Sequence, residues 1–285
     1  MQKYGLPYVG SKQRYAERIL NLLPEVDTLV DIFGGGAAIT DCALASGRFR
    51  HVVYNEKNAL IVNAVKMAVG GEFPEKPRWV SREEFHATKT TDPYAALCYS
   101  FSINMVSYLY RADKEEGHRA VFRLIYDFDD TDFKRLYPQY DITPLDNITD
   151  FEQRRQFTQR LCRNAFELRC VPRHNRLRFT PPKCAHTELT ILNLDYREVD
   201  VPRGAVIYAD PPYRGAKKYG EETFDHETFY DWCCRQTAPL FISERYMPED
   251  RFICIERFEH KGVLANNNTK RQQDECLFRP RHQVE

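Results

Sequence analysis

"TLVDIFGGGAAITDCALASGRFRHVVYNE", residues 28–56, decides the fold class. "TLVDIF" reads as a buried strand, broken by the three glycines Gly34–Gly36. "AAITDCALASG" reads as a helix closed by Gly47, and "HVVYNE" as a second strand. Strand, glycine turn, helix, strand is the repeating unit of an α/β domain with a parallel sheet. Upstream, "SKQRYAERILNLL" puts Tyr15, Ile19 and Leu22 on one helical stripe with Ser11 as its N-cap. Downstream, "NALIVNAVKMAVGG" gives a further helix ended by glycines.

The rhythm stops near Phe73. From there to about Pro182 the chain is rich in charge and aromatic residues, with helical stretches such as "EEGHRAVFRLIYDF" and "FEQRRQFTQRLCRNAFEL" and no alternation with strands. It resumes with "ELTILNL", "AVIYA", the helical "ETFYDWCCRQT", "PLFISE" and "RFICIERF". The expectation is a doubly wound, Rossmann-like α/β sheet domain, residues 1–72 and 186–285, interrupted by a mainly helical insert, residues 73–185.

Composition narrows the function classes. The 285 residues are 42% hydrophobic and 29% charged, with zero net charge. The longest apolar stretch, "ALIVNAVKMAVGG", is interrupted by Asn63 and Lys66, so no membrane association is expected. The N-terminus lacks the apolar segment of a secretory signal. Nine cysteines in no C-x-x-C or metal-ligand spacing read as reduced thiols of a cytoplasmic protein, with no metal.

Two motifs carry chemistry. The glycine turn "DIFGGGAAIT" stands at the first strand-to-helix junction, where open parallel sheets bind ligands, and Gly34 and Gly36 permit close backbone approach. A dinucleotide site would carry glycine or alanine where Ile39 stands, which disfavours NAD. Glu56, at the carboxyl end of the next strand, is placed to accept hydrogen bonds from a ribose diol; an ordinary surface glutamate is the competing reading.

The second motif is "VIYADPPYRG", residues 206–215. Pro211 and Pro212 forbid a continuing central strand, so the strand stops at Asp210. Asp210 offers a carboxylate, Pro211 a carbonyl fixed in direction and Tyr213 an aromatic face. Together they suit a planar ring bearing an amino group. Acceptors that favour the pyramidal amine stabilise the transition state of a reaction at that nitrogen more than its ground state.

In these motifs and their order the chain resembles the Dam-like family of DNA adenine (N6) methyltransferases, most closely its small phage-type members. The resemblance covers nearly the whole length. "PYVGSK" is similar to the family's aromatic-x-G-G-K segment, which implies contacts of Tyr8 and Lys12 with S-adenosylmethionine, Lys12 towards its carboxylate. "DIFGGGAAIT" matches the F-x-G-G-G turn, implying cofactor contacts at Asp31, Phe33, Gly34 and Gly36. Glu56 stands where the family usually has an aspartate on the ribose. Asp195 in "ILNLDYREV" takes the place of the acid that reads the cofactor's adenine amino group. "FDHETFYDW", "PLFISERYMPED" and "NNNTKRQQDECLF" resemble the segments after the catalytic motif, Asp210 to Tyr213. Ser11 replaces a glycine, and Ile103-Asn104-Met105 replaces a segment that normally carries a Gly-Asn pair. The resemblance implies methyl transfer from S-adenosylmethionine to an everted adenine of double-stranded DNA, without a metal and with no obligate protein partner. Cytosine N4, RNA adenine, or a catalytically silent DNA-binding relative are the alternatives.

Between residues 151 and 185 nine bases, Arg154, Arg155, Arg160, Arg163, Arg169, Arg173, Arg176, Arg178 and Lys183, face only Glu152 and Glu167. This is the pattern of a phosphate-binding face, with a solvated charged helix as the competing reading. Tyr108, Tyr110 and Arg111 are candidates for groove contacts or for filling the gap left by an everted base, with core packing the alternative for the tyrosines.

Overall fold

The structure, a computed structural model, describes residues 3–103, 105–161, 177, 179, 187–214, 224–258 and 274–284. The chain divides into two compact units, residues 1–70 with 178–285, and residues 71–177.

The first unit holds a seven-stranded sheet. In chain order its described elements are α1 (Ala16–Leu22), β1 (Thr28–Asp31), α2 (Ala38–Ser46), β2 (His51–Asn55) and α3 (Ala59–Gly70). After the second unit come β3 (Glu188–Leu192), β4 (Val206–Ala209), a helix His226–Cys234, β5 (Leu240–Glu244), β6 (Phe252–Phe258) and β7 (Glu275–Pro280). The strand order is β3-β2-β1-β4-β5-β7-β6, parallel except for β7, which runs antiparallel to both β5 and β6. From β1 the chain winds outward to β2 and β3; from β4 it winds the other way. The sheet therefore reverses direction between β1 and β4, where Asp31 lies opposite Tyr208, and the crevice at such a switch point is the usual ligand site.

The central strands are largely apolar, Leu29–Val30 in β1 and Val206–Ala209 in β4, because both faces are covered. Alternate side chains go to opposite cores. Leu29, Val206 and Tyr208 pack with Ile19 and Leu20 of α1 and with Ile39 and Ala43 of α2. Val30, Ile207 and Ala209 pack with Phe229, Tyr230 and Trp232 of the late helix. Truncating Ile207 to alanine, at 0% exposure, would cost about 2–5 kcal/mol. Ser11 precedes a 3-10 turn, Lys12–Arg14, rather than α1, and its side chain caps neither. The turn carries Lys12 into the interior.

The described part of the second unit is helical: α4 (Arg82–Thr88), α5 (Pro93–Cys98), α6 (Glu115–Phe122), α7 (Thr131–Leu136) and α8 (Phe151–Leu161); the late helix of the first unit is α9. A single antiparallel bridge, Ser100 to Tyr108, is the only extended pairing described there. A π-helical turn, Arg123–Asp127, prolongs α6, and its core gathers Phe122, Leu124, Ile125, Tyr126 and Phe133. The six described cysteines are free thiols, and no described helix is long and apolar enough to cross a membrane.

Candidate active site

Three acids end or follow neighbouring strands: Asp31 on β1, Glu56 after β2 and Asp210 after β4. Asp31 is 1% exposed; it accepts from the Thr40 hydroxyl at 2.7 Å, and burial, reinforced by the charges of Asp210 and Glu56, pushes its pKa up to about 7. Glu56 accepts from the backbone N–H of Gly35 at 3.0 Å and of Asn58 at 2.8 Å, and burial raises its pKa as well. Burial raises Asp210 to about 6, against the opposing pull of Lys12. Carboxylates collected in a poorly solvated crevice favour a cationic ligand, because each charge there raises the cost of ionising the next.

The glycine turn is shaped as much by protein as by any ligand. A Cβ on Gly34 would lie 2.2 Å from the Tyr54 ring, and one on Gly36 would lie 2.6 Å from Cβ of Tyr8. Tyr54 donates from its hydroxyl to the Gly35 carbonyl at 2.7 Å, and the Leu6 N–H reaches the Gly36 carbonyl at 2.7 Å. Gly35 itself has φ +46°. The N-terminal segment thus packs over the turn, with Tyr8 half-buried against it. Phe33 is half-buried among Tyr196, Phe224 and Phe229, at centroid separations of 5.2, 5.8 and 5.6 Å. Asp195 caps the turn Tyr196–Glu198 and makes two bonds to Arg197, at 2.8 and 3.1 Å, which hold its pKa down.

The D-P-P-Y loop leaves β4 at Asp210 and is held from several sides. Lys12 is 4% exposed, and its ammonium donates to Asp210 Oδ2 at 2.6 Å and to the Gly10 carbonyl at 3.0 Å. That ammonium also lies 3.4 Å from Glu275 Oε1 and 4.9 Å from the centroid of the Tyr213 ring. Lys12, expected to face a cofactor carboxylate, here makes an ion pair inside the chain, where the 3-10 turn aims its side chain at the end of β4. Glu244, 1% exposed at the end of β5, accepts from the Arg214 N–H at 2.6 Å. His226, at the start of α9, contacts the Pro212 carbonyl at 3.0 Å. Pro211 is buried, Pro212 exposed and Tyr213 half-buried. Glu244 and Glu275 lie in two segments noted above for their resemblance, "PLFISERYMPED" and "NNNTKRQQDECLF", but nothing in the sequence sets these two acids apart from the rest of those segments.

The candidate DNA contacts fare differently. Tyr108 and Tyr110 are 5% and 4% exposed and belong to an aromatic core. Tyr110 stacks on Trp79 and His118 at 5.6 and 4.1 Å, and the Tyr108 hydroxyl donates to the Val80 carbonyl at 2.6 Å. Alternation along this extended segment turns residues 108 and 110 inward. The exposed apolar side chains of the same loop are Phe101 and Val106, at 60% and 63%. Arg154 is not a surface base either: it is 5% exposed and donates to the carbonyls of Leu124, Leu145 and Ile148 at 3.0, 2.7 and 3.1 Å. The guanidinium supplies several donors at once to carbonyls around the π-helical turn and the neighbouring 3-10 turn, that of Leu145 being shared with the Ile148 N–H at 3.0 Å. Arg155 is bound to Glu152 by two hydrogen bonds, and Arg111 is exposed and pairs with Asp113 at 3.1 and 3.2 Å. Arg173 and Arg176 lie outside the described residues, as does Asn104.

A sheet of this order, with acids at the ends of β1, β2 and β4 and a D-P-P-Y loop at the switch point, defines a Rossmann-like group-transfer enzyme. The chain belongs to the D12 class N6 adenine-specific DNA methyltransferases, whose family model matches residues 8–232. A comparison with curated proteins gives no match. The enzyme accordingly methylates the N6 position of adenine in DNA, with S-adenosylmethionine as the donor. The acid-rich crevice fits that donor, which carries positive charge and a ribose diol.

Proposed function

We propose that Asp210, Pro211, Pro212 and Tyr213 form the catalytic corner, acting on an adenine everted from double-stranded DNA. Asp210 and the Pro211 carbonyl accept the two N–H bonds of the amino group, and Tyr213 stacks on the ring in place of its lost neighbours. The amino lone pair, drawn into the ring in the ground state, is freed as the nitrogen becomes pyramidal, and acceptors aimed at its hydrogens favour that change. Asp31, Phe33, Gly34, Gly36, Glu56 and Tyr8 line the donor's place: Glu56 accepts from the ribose diol, and Asp195, kept ionised by Arg197, accepts from the donor's adenine amino group. Bound there, the donor presents an electrophilic sulfonium methyl. What the chain contributes is alignment and exclusion of water, which can remove a large share of the barrier. Arg111, Arg155, Arg173 and Arg176 would supply phosphate contacts to the duplex, and the exposed Phe101 takes the part first expected of Tyr108 and Tyr110. A cytoplasmic site of action, in a bacterial or phage-infected cell, accompanies this reading.

The observation that carries it is the position of Asp210: directly after a strand buried on both faces, beside the β1/β4 reversal, on a loop pinned by Lys12, Glu244 and His226. The test is nucleoside mass spectrometry of DNA and RNA incubated with donor. N6-methyladenine in DNA is the expected product, and Asp210→Ala should lower its formation at least about 100-fold. An Asp210→Ala enzyme working at a near-normal rate would remove this carboxylate from the mechanism.

A further inference from the structure

Lys12 is a buried cation with two acids to choose from. Its ammonium rests on Asp210 at 2.6 Å, while Glu275 Oε1 waits at 3.4 Å, buried and without a directed hydrogen bond among the described residues. Glu275 belongs to β7, whose neighbour Cys276 lies opposite Glu244 of β5. Its side chain is 17% exposed and that of Lys12 5%. That oxygen faces the Lys12 charge without a close, directed hydrogen bond among the described residues, so it can take a donor that moves towards it.

We propose that Glu275 is a positioning residue for methyl transfer: it receives the Lys12 ammonium when Asp210 turns to the adenine amino group. This rests on the role given above to Asp210. In the ligand-free arrangement Lys12 and Asp210 satisfy each other. An incoming amino group has to compete for the same carboxylate, and displacing Lys12 with nowhere to go would strand a buried charge. Glu275 removes that penalty, since the ammonium need only shorten its 3.4 Å separation to reach hydrogen-bond range. The Gly10 carbonyl, accepting at 3.0 Å, anchors the ammonium while its other donors change partner.

The experiment is single-turnover methyl transfer to bacterial genomic DNA lacking adenine methylation, with donor binding measured separately by calorimetry. It compares the wild type with Glu275→Gln, Glu275→Ala, Glu275→Asp, Lys12→Met, the Lys12→Met/Glu275→Gln pair and Asp210→Ala. Glu275→Gln keeps the shape and loses the charge, and its transfer rate should fall about tenfold at unchanged donor affinity. Glu275→Asp should recover part of that loss. In the Lys12→Met background Glu275→Gln should have no further effect, because no ammonium remains to be received. A Glu275→Gln enzyme with wild-type rate, or losses that multiply in the pair, would overturn the proposal; should Glu275→Gln not fold, a Glu275→Ala enzyme at full rate would do the same. Asp210→Ala separates the two readings. If it is nearly inactive while Glu275→Gln is normal, only the inference about Glu275 fails; if Asp210→Ala is itself active, the role of Asp210 fails with it.

Discussion

Lys12 and Arg154 are both buried cations, and the difference between their surroundings separates a site from a scaffold. Arg154, in the helical unit, gives its hydrogen bonds, among the described residues, to the neutral carbonyls of Leu124, Leu145 and Ile148, while Asp130 and Asp146 act on it only through their charge. Its hydrogen bonds tie together two turns of that unit, and its guanidinium lies 4.6 Å from the centroid of the Phe128 ring. Lys12, in the α/β unit, meets two carboxylates at the end of β4 and on β7. Burial, with the charge of Glu275 added to it, raises Asp210 to about 6 even with an ammonium on it. A cation tied to carbonyls has one arrangement; a cation between two acids has two.

Removing each cation tests that contrast most severely. Lys12→Met should lower methyl transfer about 100-fold and move the acid limb of the rate profile towards higher pH, since Asp210 loses the charge that favours its ionised form. In the wild type that limb should lie near pH 6, where Asp210 titrates. Arg154→Met should instead cost about 3 kcal/mol of stability, read from urea unfolding, while the folded fraction keeps its rate. A catalytically crippled but stable Arg154→Met protein would erase the distinction.

A smaller effect sharpens the account of the crevice. Asp31, raised to about 7 by burial, holds its proton in the folded state over a range where the unfolded chain has released it. The stability it contributes is full below about pH 4 and is lost as pH rises towards 7, with a slope of at most about 1.4 kcal/mol per pH unit for one carboxyl. Asp31→Asn should flatten the decline between pH 4 and 7, leaving the part due to Asp210. An unchanged slope in this variant would show that Asp31 is not the titrating group.

The smallest effect concerns the surface of the helical unit. Arg111 is exposed, so Arg111→Ala should leave stability within about 0.5 kcal/mol of the wild type and reduce the salt dependence of DNA binding by about one unit of slope. Arg154→Met should leave the slope of the folded protein unaltered. If the two variants behave alike in salt, the assignment of Arg111 to phosphate contact is wrong.

Much of the α/β unit was legible because its signals are local. A strand buried on both faces is a run of apolar residues, a turn that must admit the Tyr54 ring is a glycine, and a strand that must end does so at Asp-Pro-Pro. Those features announced the doubly wound sheet and the loop that begins at Asp210. The helical unit was less legible, since an arginine that binds phosphate and an arginine that binds carbonyls are spelled alike, and a tyrosine at residue 108 or 110 reads the same on a groove as in a core. The Ser11 cap failed for a related reason: the polar residue is where a cap would be, but the chain spends the next turn carrying Lys12 inward.

The sequence by itself determined the order of strands and helices, the glycine turn and the acids at the strand ends, because backbone geometry and burial period act over a few residues. Only the tertiary structure decided which charges meet. Lys12 and Asp210 stand 198 positions apart, and Glu275 arrives on a strand that pairs antiparallel with its neighbours. Electrostatic interaction depends on distance through space and on how much water has been excluded between the groups, and neither quantity exists until the sheet has assembled.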